Sequence, residues 1–592
     1  MIERSSRDDS TGLPEIIRDR RAWLLAIGIV SISIWAFWPV LDNNFVNWDD
    51  ETNFLINPHF REISWTSLRW AWTTYWLGVY QPFAWMLFEL EYSIWGLNPH
   101  GYHLVSLVLH AVNSILVYTV ILALVGRAVD DRPEHRWSYI LGAAVAAATF
   151  SVHPLRTEVV AWVSSQSYLP CVMFCLLAIL LYLQAHGRHG VVDRVAFCGS
   201  FVCFVIALLF KAVAVTLPLL LLLLDAYPLR RRDIRRIWLE KIPHFGVSLI
   251  FIVLAVLSKP HAPIVTSAPL GSFVGRIAQS AYGIGFYLTR TIWPYPLTAF
   301  YGASPGARPS NWPFVASFVA VVTVTVIAVR LRKSTPSLLA AWTAFITVLS
   351  PNLGFVQIGS RLAADRYSYL AMIGPMTLVG GGLGVLFARI RWTRLRAVTA
   401  ASAAASIIAG QVVLTRAQCE TWRSSEALWT HALNHGGEDV PDVRNSVGLS
   451  LIELGRLEEA KEHFVAASLL RPSWGDPHNN LGVLFARENN YEDARRHFTE
   501  AIRLDPKAAK AHENLGRILL RDGKVGAAVH EFTLALIGDP DGLAGLRSLE
   551  DLLLIRRSAL KPSLVPLIQA VIAGPRDAGA LRALEAATKA DQ

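Results

Sequence analysis

The sequence predicts an all-α protein in two parts, a polytopic bundle of about eleven membrane-spanning helices followed by a soluble α-solenoid. Three observations predict it. Long apolar runs are confined to residues 22–414, short basic clusters separate those runs, and residues 440–540 repeat with a period of 34. The composition suits a chain with a large lipid-facing part: 53% of residues are hydrophobic and 17% are charged, where soluble domains average about 25% charged.

A helix needs about 20 consecutive apolar residues to cross a bilayer. Runs approaching this length lie at 22–41, 102–126, 138–152, 169–186, 195–210, 212–228, 243–258, 312–329, 337–350, 368–388 and 397–414. The stretch 275–293 is apolar but carries Arg276, Gln279 and Arg290 among Tyr282, Phe286, Tyr287 and Trp293. That mixture predicts an interfacial or re-entrant segment. The first run, Ala22 to Val40, follows a charged stretch and has no small-residue cleavage site, so it predicts a retained helix and not a signal peptide. The expected organisation is a cytoplasmic tail at 1–21, a membrane domain at 22–414, a connecting helical segment at 415–439, repeats at 440–540 and a helical cap at 541–592.

Charge orients the bundle. The formal net charge of +9 does not predict nucleic-acid binding, because basic residues cluster between apolar runs, at Arg127, Arg132 and Arg136, at Arg230 to Arg236, and at Arg389 to Arg396. With the N-terminus inside, the cytoplasmic segments hold 23 Lys and Arg, and the longer opposite segments hold 10. Cytoplasmic loops are enriched in these residues. The sequence therefore predicts a multi-pass protein of the inner (cytoplasmic) membrane with its repeats on the periplasmic side. Cys171, Cys175, Cys198 and Cys203 fall within apolar runs and Cys419 stands alone, which argues against a disulfide framework or a zinc site.

The repeats are legible residue by residue. Gly448, Gly482 and Gly516 are 34 apart, as are Phe464, Phe498 and Phe532, Pro472, Pro506 and Pro540, and Ala467, Ala501 and Ala535. Small residues where two helices cross, aromatics between them and a proline ending the second helix make the tetratricopeptide (TPR) pattern. Such arrays present a groove for an extended segment or a partner protein and carry no chemistry of their own; a spacer or dimerisation element is the alternative reading.

Ionisable groups at the edge of a membrane are costly, and they are usually paired or functional. On the predicted topology they gather on the non-cytoplasmic face. Asp49, Asp50 and Glu51 follow the first span, His153, Arg156 and Glu158 follow the third, Lys211 sits between the fifth and sixth, and Asp365, Arg366 and Tyr367 precede the tenth. Arg156, Lys211 and Arg366 suit a lipid phosphate, since fixed donors hold anionic oxygens best where water is excluded. A carboxylate could then take the proton of an acceptor hydroxyl as it attacks the anomeric carbon of a sugar. His103, His153, Asp365 and Tyr367 are candidate supporting residues. Glu89 and Glu91 lie in a predicted interfacial helix and read as solvated, His110 reads as a core histidine, and Arg361 as a snorkelling side chain or local ion pair.

The order of motifs along the chain resembles the transmembrane-and-TPR O-mannosyltransferase family and its bacterial relatives. The residues that carry the resemblance are Trp48-Asp49-Asp50-Glu51, Gly96 to His103, His153-Pro154-Leu155-Arg156-Thr157-Glu158, Lys211 to Pro218, Asp225 to Leu229, Ala364 to Leu370, and Trp422 to Trp429, which joins the membrane and repeat regions. The resemblance implies a GT-C fold, a polyprenyl-phosphate-linked sugar as donor, inversion at the anomeric carbon, and an essential acidic residue in the first outer loop. Here that residue is Asp49 or Asp50, and Glu158 matches an acidic residue that the second outer loop often supplies. Some enzymes of this superfamily hold a divalent metal with such carboxylates and others do not, so a divalent ion is a candidate cofactor.

The expected function is transfer of a sugar, with mannose the candidate, from polyprenyl phosphate to a hydroxyl, Ser or Thr of an exported protein, on the periplasmic face. The expected partners are that lipid-linked sugar, membrane lipid and a protein engaged by the repeats, with no nucleic acid. Transfer to a glycan or lipid is the alternative acceptor. A transporter would place charges midway along spans and repeat its membrane half, and a scaffold would need a single anchoring helix; neither pattern stands out.

Overall fold

The computed structural model describes residues 15–129, 134–187, 192–258, 272–302, 308–354, 361–390, 393–539, 543–555, 559–575 and 577–589. The tail up to Pro14, Arg132, Arg391 and Pro540 lie outside them. The chain forms two compact units, Met1–Ala432 and Leu433–Gln592.

The first unit is helical. Its helices are α1 (Arg20–Phe37), α2 (Trp65–Thr73), α3 (Pro82–Trp95), α4 (Pro99–Ala128), α5 (Arg136–Ser151), α6 (Thr157–Ala161), α7 (Tyr168–Ala185), α8 (Arg194–Phe210) and α9 (Leu217–Ala226). They continue with α10 (Ile234–Leu257), α11 (Phe273–Ile292), α12 (Trp312–Arg330), α13 (Pro336–Leu349), α14 (Ser368–Ala371), α15 (Ile373–Arg389), α16 (Arg394–Thr421) and α17 (Ser425–Ala432). Strands β1 (Tyr301–Gly302) and β2 (Arg361–Ala363) form one antiparallel pair.

All eleven apolar runs are helical, but length divides them. Among the described residues, six helices are long and apolar enough to cross a membrane: Arg20–Asp42, Pro99–Ala128, Val163–Ala185, Ile234–Leu257, Trp312–Arg330 and Arg394–Thr421. Two bent pairs, Arg136–Ser151 with Pro154–Ala161 and Asp365–Ala371 with Ile373–Arg389, raise the number to eight. The remaining three runs form helices of 17, 10 and 14 residues (α8, α9 and α13), shorter than the roughly 20 residues a crossing takes. Eleven crossings are therefore not reached on length alone. The segment expected to be interfacial or re-entrant is one unbroken 20-residue helix, α11, so no re-entrant hairpin forms there.

Small residues set the closest helix approach. A Cβ on Gly142 of α5 would stand 2.4 Å from the carbonyl oxygen of Gly380 and 2.5 Å from the amide of Gly384. Side chains at these α15 positions would push the helices apart, and close backbone approach is how apolar helices gain packing where water provides no drive.

The second unit consists of three helical hairpins and a cap. The hairpins are α18 (Pro441–Glu453) with α19 (Leu457–Leu470), α20 (Asp476–Arg487) with α21 (Tyr491–Leu504), and α22 (Ala509–Arg521) with α23 (Val525–Gly538). The 34-residue period has a direct steric cause. A Cβ on Gly448, Gly482 or Gly516 would lie 2.5, 2.6 or 2.6 Å from the ring of Phe464, Phe498 or Phe532 in the second helix of the same hairpin. The turns repeat too: Gly455, Asn489 and Gly523 have φ of 75°, 61° and 76°, and asparagine is among the side chains most tolerant of that region. Helices α24 (Leu543–Ile555), α25 (Leu564–Ala573) and α26 (Ala578–Lys589) close the apolar end of α23 around Phe532, Leu536, Leu552 and Leu584.

Candidate active site

Loops between the helices of the first unit build the site. The first outer loop leaves α1 and turns at Asn47 to Asp50. Asp50 is 1% exposed and faces inward. Its Oδ1 accepts from the Ser164 amide (2.9 Å) and the Ser164 hydroxyl (2.5 Å), and its Oδ2 from the Val46 amide (3.1 Å). Asn53 donates to the same Ser164 hydroxyl at 2.9 Å. Burial pushes the Asp50 carboxyl up to about 7, against the pull of these donors, and Asp49 pushes it the same way. This carboxylate ties the first outer loop to the second.

Asp49 differs. It is half-buried and accepts no hydrogen bond among the described residues. Its charge is felt at both Lys211 and Arg361. Lys211 stands between α8 and α9, donates to Gln81 Oε1 at 3.2 Å and lies 5.1 Å from the Tyr168 ring. Burial and the Arg366 charge pull its ammonium down to about 8, while Asp49 raises it. Arg361 stacks on the Trp48 ring at 4.2 Å and faces Phe300 at 5.2 Å. Burial and Arg366 lower its pKa, and Asp49 opposes them. It forms no ion pair among the described residues, so the ion-pair expectation for Arg361 is not met. A cleft lined by Gln279, Asn352, Gly354, Arg361 and Tyr367 opens beside it.

Glu158, in the first turn of α6, is committed to Arg366: its Oε2 accepts the Arg366 amide at 2.7 Å and its Oε1 pairs with the guanidinium. Arg366 also donates to Tyr367 OH at 3.3 Å and lies 4.8 Å from that ring. Asp365 accepts from Tyr301 OH at 3.0 Å, which joins β1 to the segment after β2. Tyr287 of α11 fixes the same segment, donating to the Ala364 carbonyl at 2.9 Å and accepting from its amide at 3.1 Å.

Other residues picked from the sequence have different roles. Arg156 is 1% exposed and lies 4.8 and 5.4 Å from the Phe150 and Tyr369 rings, with Nε and Nη1 unpartnered among the described residues. Its charge is felt at Asp365 and Tyr369. His153 holds backbone, accepting from the Leu155 amide at 3.2 Å and meeting the Thr291 carbonyl at 3.0 Å. His103 is fully buried, beside the backbone of Asn43, Asn44 and Val160. His110 is the satisfied core histidine expected, between Tyr369 OH (2.6 Å) and the Ser151 carbonyl (2.8 Å). Glu89 and Glu91 are not solvated. They are 7% and 1% exposed, because α3 turns that face inward, and Glu89 accepts from the Ser67 hydroxyl.

No group of three or more His, Cys, Asp or Glu side chains among the described residues could hold a metal ion. Asp50 and Glu158, two of the candidate carboxylates, are already engaged by protein donors.

Comparison with known proteins agrees with the motifs. A tetratricopeptide repeat model matches residues 479–542. The chain is 29% identical over 160 residues to the protein O-mannosyl-transferase TMTC2 of Homo sapiens, covering 27% of this chain and 18% of that one. It is 34% identical over 152 residues to Tmtc1 of Drosophila melanogaster (25% and 16%), and 34% over 113 residues to TMTC4 of Mus musculus (19% and 15%). Its curated relatives are protein O-mannosyl-transferases. The chain spans less than a fifth of the length of those relatives. Among solved structures, ArnT from Cupriavidus metallidurans bound to undecaprenyl phosphate aligns over 87% of this chain and 81% of that one, at 15% identity and a TM-score of 0.34.

Arg361, Trp422 and Trp429 all meet Trp48, a contact the sequence does not show. Arg361 gave no signal because its loop holds no other charge until Asp365. The tryptophans were legible as a motif but not as a contact.

Proposed function

We propose that this chain is an inverting GT-C-type glycosyltransferase of the inner membrane. It takes a sugar from polyprenyl phosphate and transfers it to a hydroxyl on the periplasmic face. Asp49 carries the reading: it is a half-buried carboxylate free of hydrogen-bond donors among the described residues, and its charge reaches Lys211 and Arg361. A general base must come within hydrogen-bond reach of the proton it takes, and a carboxylate with no protein donor is open to an acceptor hydroxyl. The acceptor hydroxyl gives its proton to Asp49, its oxygen bonds to the anomeric carbon from the face opposite the phosphate, and the carbon–oxygen bond to phosphate breaks. The polyprenyl phosphate leaves with that electron pair, and Lys211, Arg361 and Arg366 stabilise its charge. Asp50 and Glu158 hold the geometry, the first by joining the two outer loops and the second by aiming Arg366. Arg156, with Nε and Nη1 unpartnered among the described residues, offers donors of the same kind.

An apolar cleft between α4, α7, α9, α13 and α14, lined by Val120, Ile179, Leu224, Val348 and Leu370, would take the isoprenoid chain. The printed names of the relatives favour mannose as the sugar and protein as the acceptor, and the repeats would recruit that protein. The test is transfer of labelled sugar from synthetic polyprenyl-phosphate donors by purified full-length protein, with release of polyprenyl phosphate measured alongside. Turnover that Asp49→Asn removes supports the reading; wild-type protein inert toward every such donor, with host membrane fractions as acceptor, overturns it.

A further inference from the structure

The segment between α16 and the end of α17 is more than a connection to the repeats. Together with the last turn of α16, its backbone and side chains grip residues 43–48 at the start of the first loop. Asn43 Nδ2 donates to the Cys419 carbonyl at 3.2 Å, and the Asn44 amide donates to the Arg423 carbonyl at 3.0 Å. The Asn47 amide donates to Ser425 Oγ at 3.0 Å, and Trp429 Nε1 donates to Asn47 Oδ1 at 2.6 Å. Residues almost 400 positions apart in the chain thus share four hydrogen bonds.

Ring packing continues the grip. Trp422 and Trp429 are 1% and 2% exposed. Trp48 stacks on Trp162 at 4.7 Å, lies parallel to Trp422 at 6.4 Å and meets Trp429 at 5.1 Å. Its remaining face carries Arg361 at 4.2 Å. The residue just before Asp49 is therefore clamped by rings from two other segments, and Asn47, two residues before it, is hydrogen-bonded through both its amide N–H and its side chain. The Asp49 side chain makes no hydrogen bond among the described residues that would locate it. Its position follows from its chain neighbours, Asn47 and Trp48 on one side and Asp50, tied to Val46 and Ser164, on the other.

We infer that residues 419–429 are a positioning strap for the reacting carboxylate, with Ser425 and Trp429 as its two polar fasteners on Asn47. The inference rests on the reading of Asp49 as base. Holding a reacting group within a fraction of an ångström is worth much of a catalytic rate, and a misplacement of about 1 Å can cost about 100-fold. Donor binding, by contrast, falls to Lys211, Arg361 and Arg366.

The test uses full-length protein with Ser425→Ala, which removes one hydroxyl, and Trp429→Phe, which keeps an aromatic ring but loses the Nε1 donor. Two readouts are taken: donor kcat and KM, and hydrogen–deuterium exchange of the peptide covering residues 43–50. Each variant should exchange that peptide about tenfold faster, and kcat should fall about 10- to 100-fold with donor KM within about twofold of wild type. Ser425→Thr, which keeps the hydroxyl, should return both readouts toward wild type. Unchanged exchange in both variants overturns the strap whether or not the protein turns over. Faster exchange with wild-type kcat overturns its positioning role. Faster exchange in a protein whose wild type shows no transfer leaves the strap standing and removes the transferase reading instead. Ser425→Ala keeps the test alive if Trp429→Phe does not accumulate.

Discussion

Replacing each adjacent aspartate by asparagine separates a reacting carboxylate from a structural one. In Asp50→Asn, one oxygen is kept and the other becomes an NH2 group facing either the Val46 amide or the Ser164 amide and hydroxyl. A buried donor left without an acceptor costs about 1–3 kcal/mol, so the first unit should melt several degrees lower. The sign of the pH dependence follows from burial. The folded carboxyl titrates near 7, above its ordinary 3.8, so its contribution to stability is fully present below the unfolded value and is lost as pH rises through about 7. The deficit of Asp50→Asn against wild type should accordingly be larger at pH 5 than at pH 8. Asp49→Asn loses no hydrogen bond among the described residues, so melting should stay as in wild type while turnover falls about 10²–10⁴-fold, the range for a lost general base. The assays are thermal melting in detergent and sugar release from a polyprenyl-phosphate donor. Full activity in Asp49→Asn, together with inactive but normally melting Asp50→Asn, would reverse the roles and refute the reasoning.

Other substitutions test the remaining parts. Glu158→Gln strips the anionic partner from Arg366, and breaking a buried pair costs about 3–5 kcal/mol; melting should fall and donor KM should rise, both read from one purified preparation. Lys211 titrates near 8 and is a cation only below that value, so donor KM should climb as pH passes 8, and Lys211→Arg should flatten that alkaline rise. Arg361→Ala should raise donor KM about 10-fold or more, since a hydrogen bond to a charged group is worth about 1.5–3 kcal/mol; unchanged KM would remove Arg361 from the site. Gly482→Ala would drive a methyl to 2.6 Å from the Phe498 ring, an overpacking cost of about 1–3 kcal/mol, so the repeats of the full-length protein should become more sensitive to limited proteolysis.

Local pattern determined much of this protein in advance. The helical class, the division into an apolar part and a repeat part, and the hairpins at Gly448, Gly482 and Gly516 each depend on residues close in sequence, where hydrophobic runs and a 34-residue spacing act directly. The outer-loop residues were found the same way, because charge beside a long apolar run is conspicuous. What each charge does was decided only by the tertiary structure. Asp49 and Asp50 are neighbours in the chain, yet one meets three donors from other positions and the other meets none among the described residues. The surroundings of Arg361 and Arg156 are not legible in the sequence, because ring stacking on Trp48, and burial between Phe150 and Tyr369, depend on segments that local sequence cannot bring together. Glu91 was misread for the same reason: its helix presents a buried face to residues that follow far along the chain, such as Gln166. A side chain's type limits the chemistry it can perform, and the donors, rings and charges that folding gathers around it select which part of that chemistry it uses.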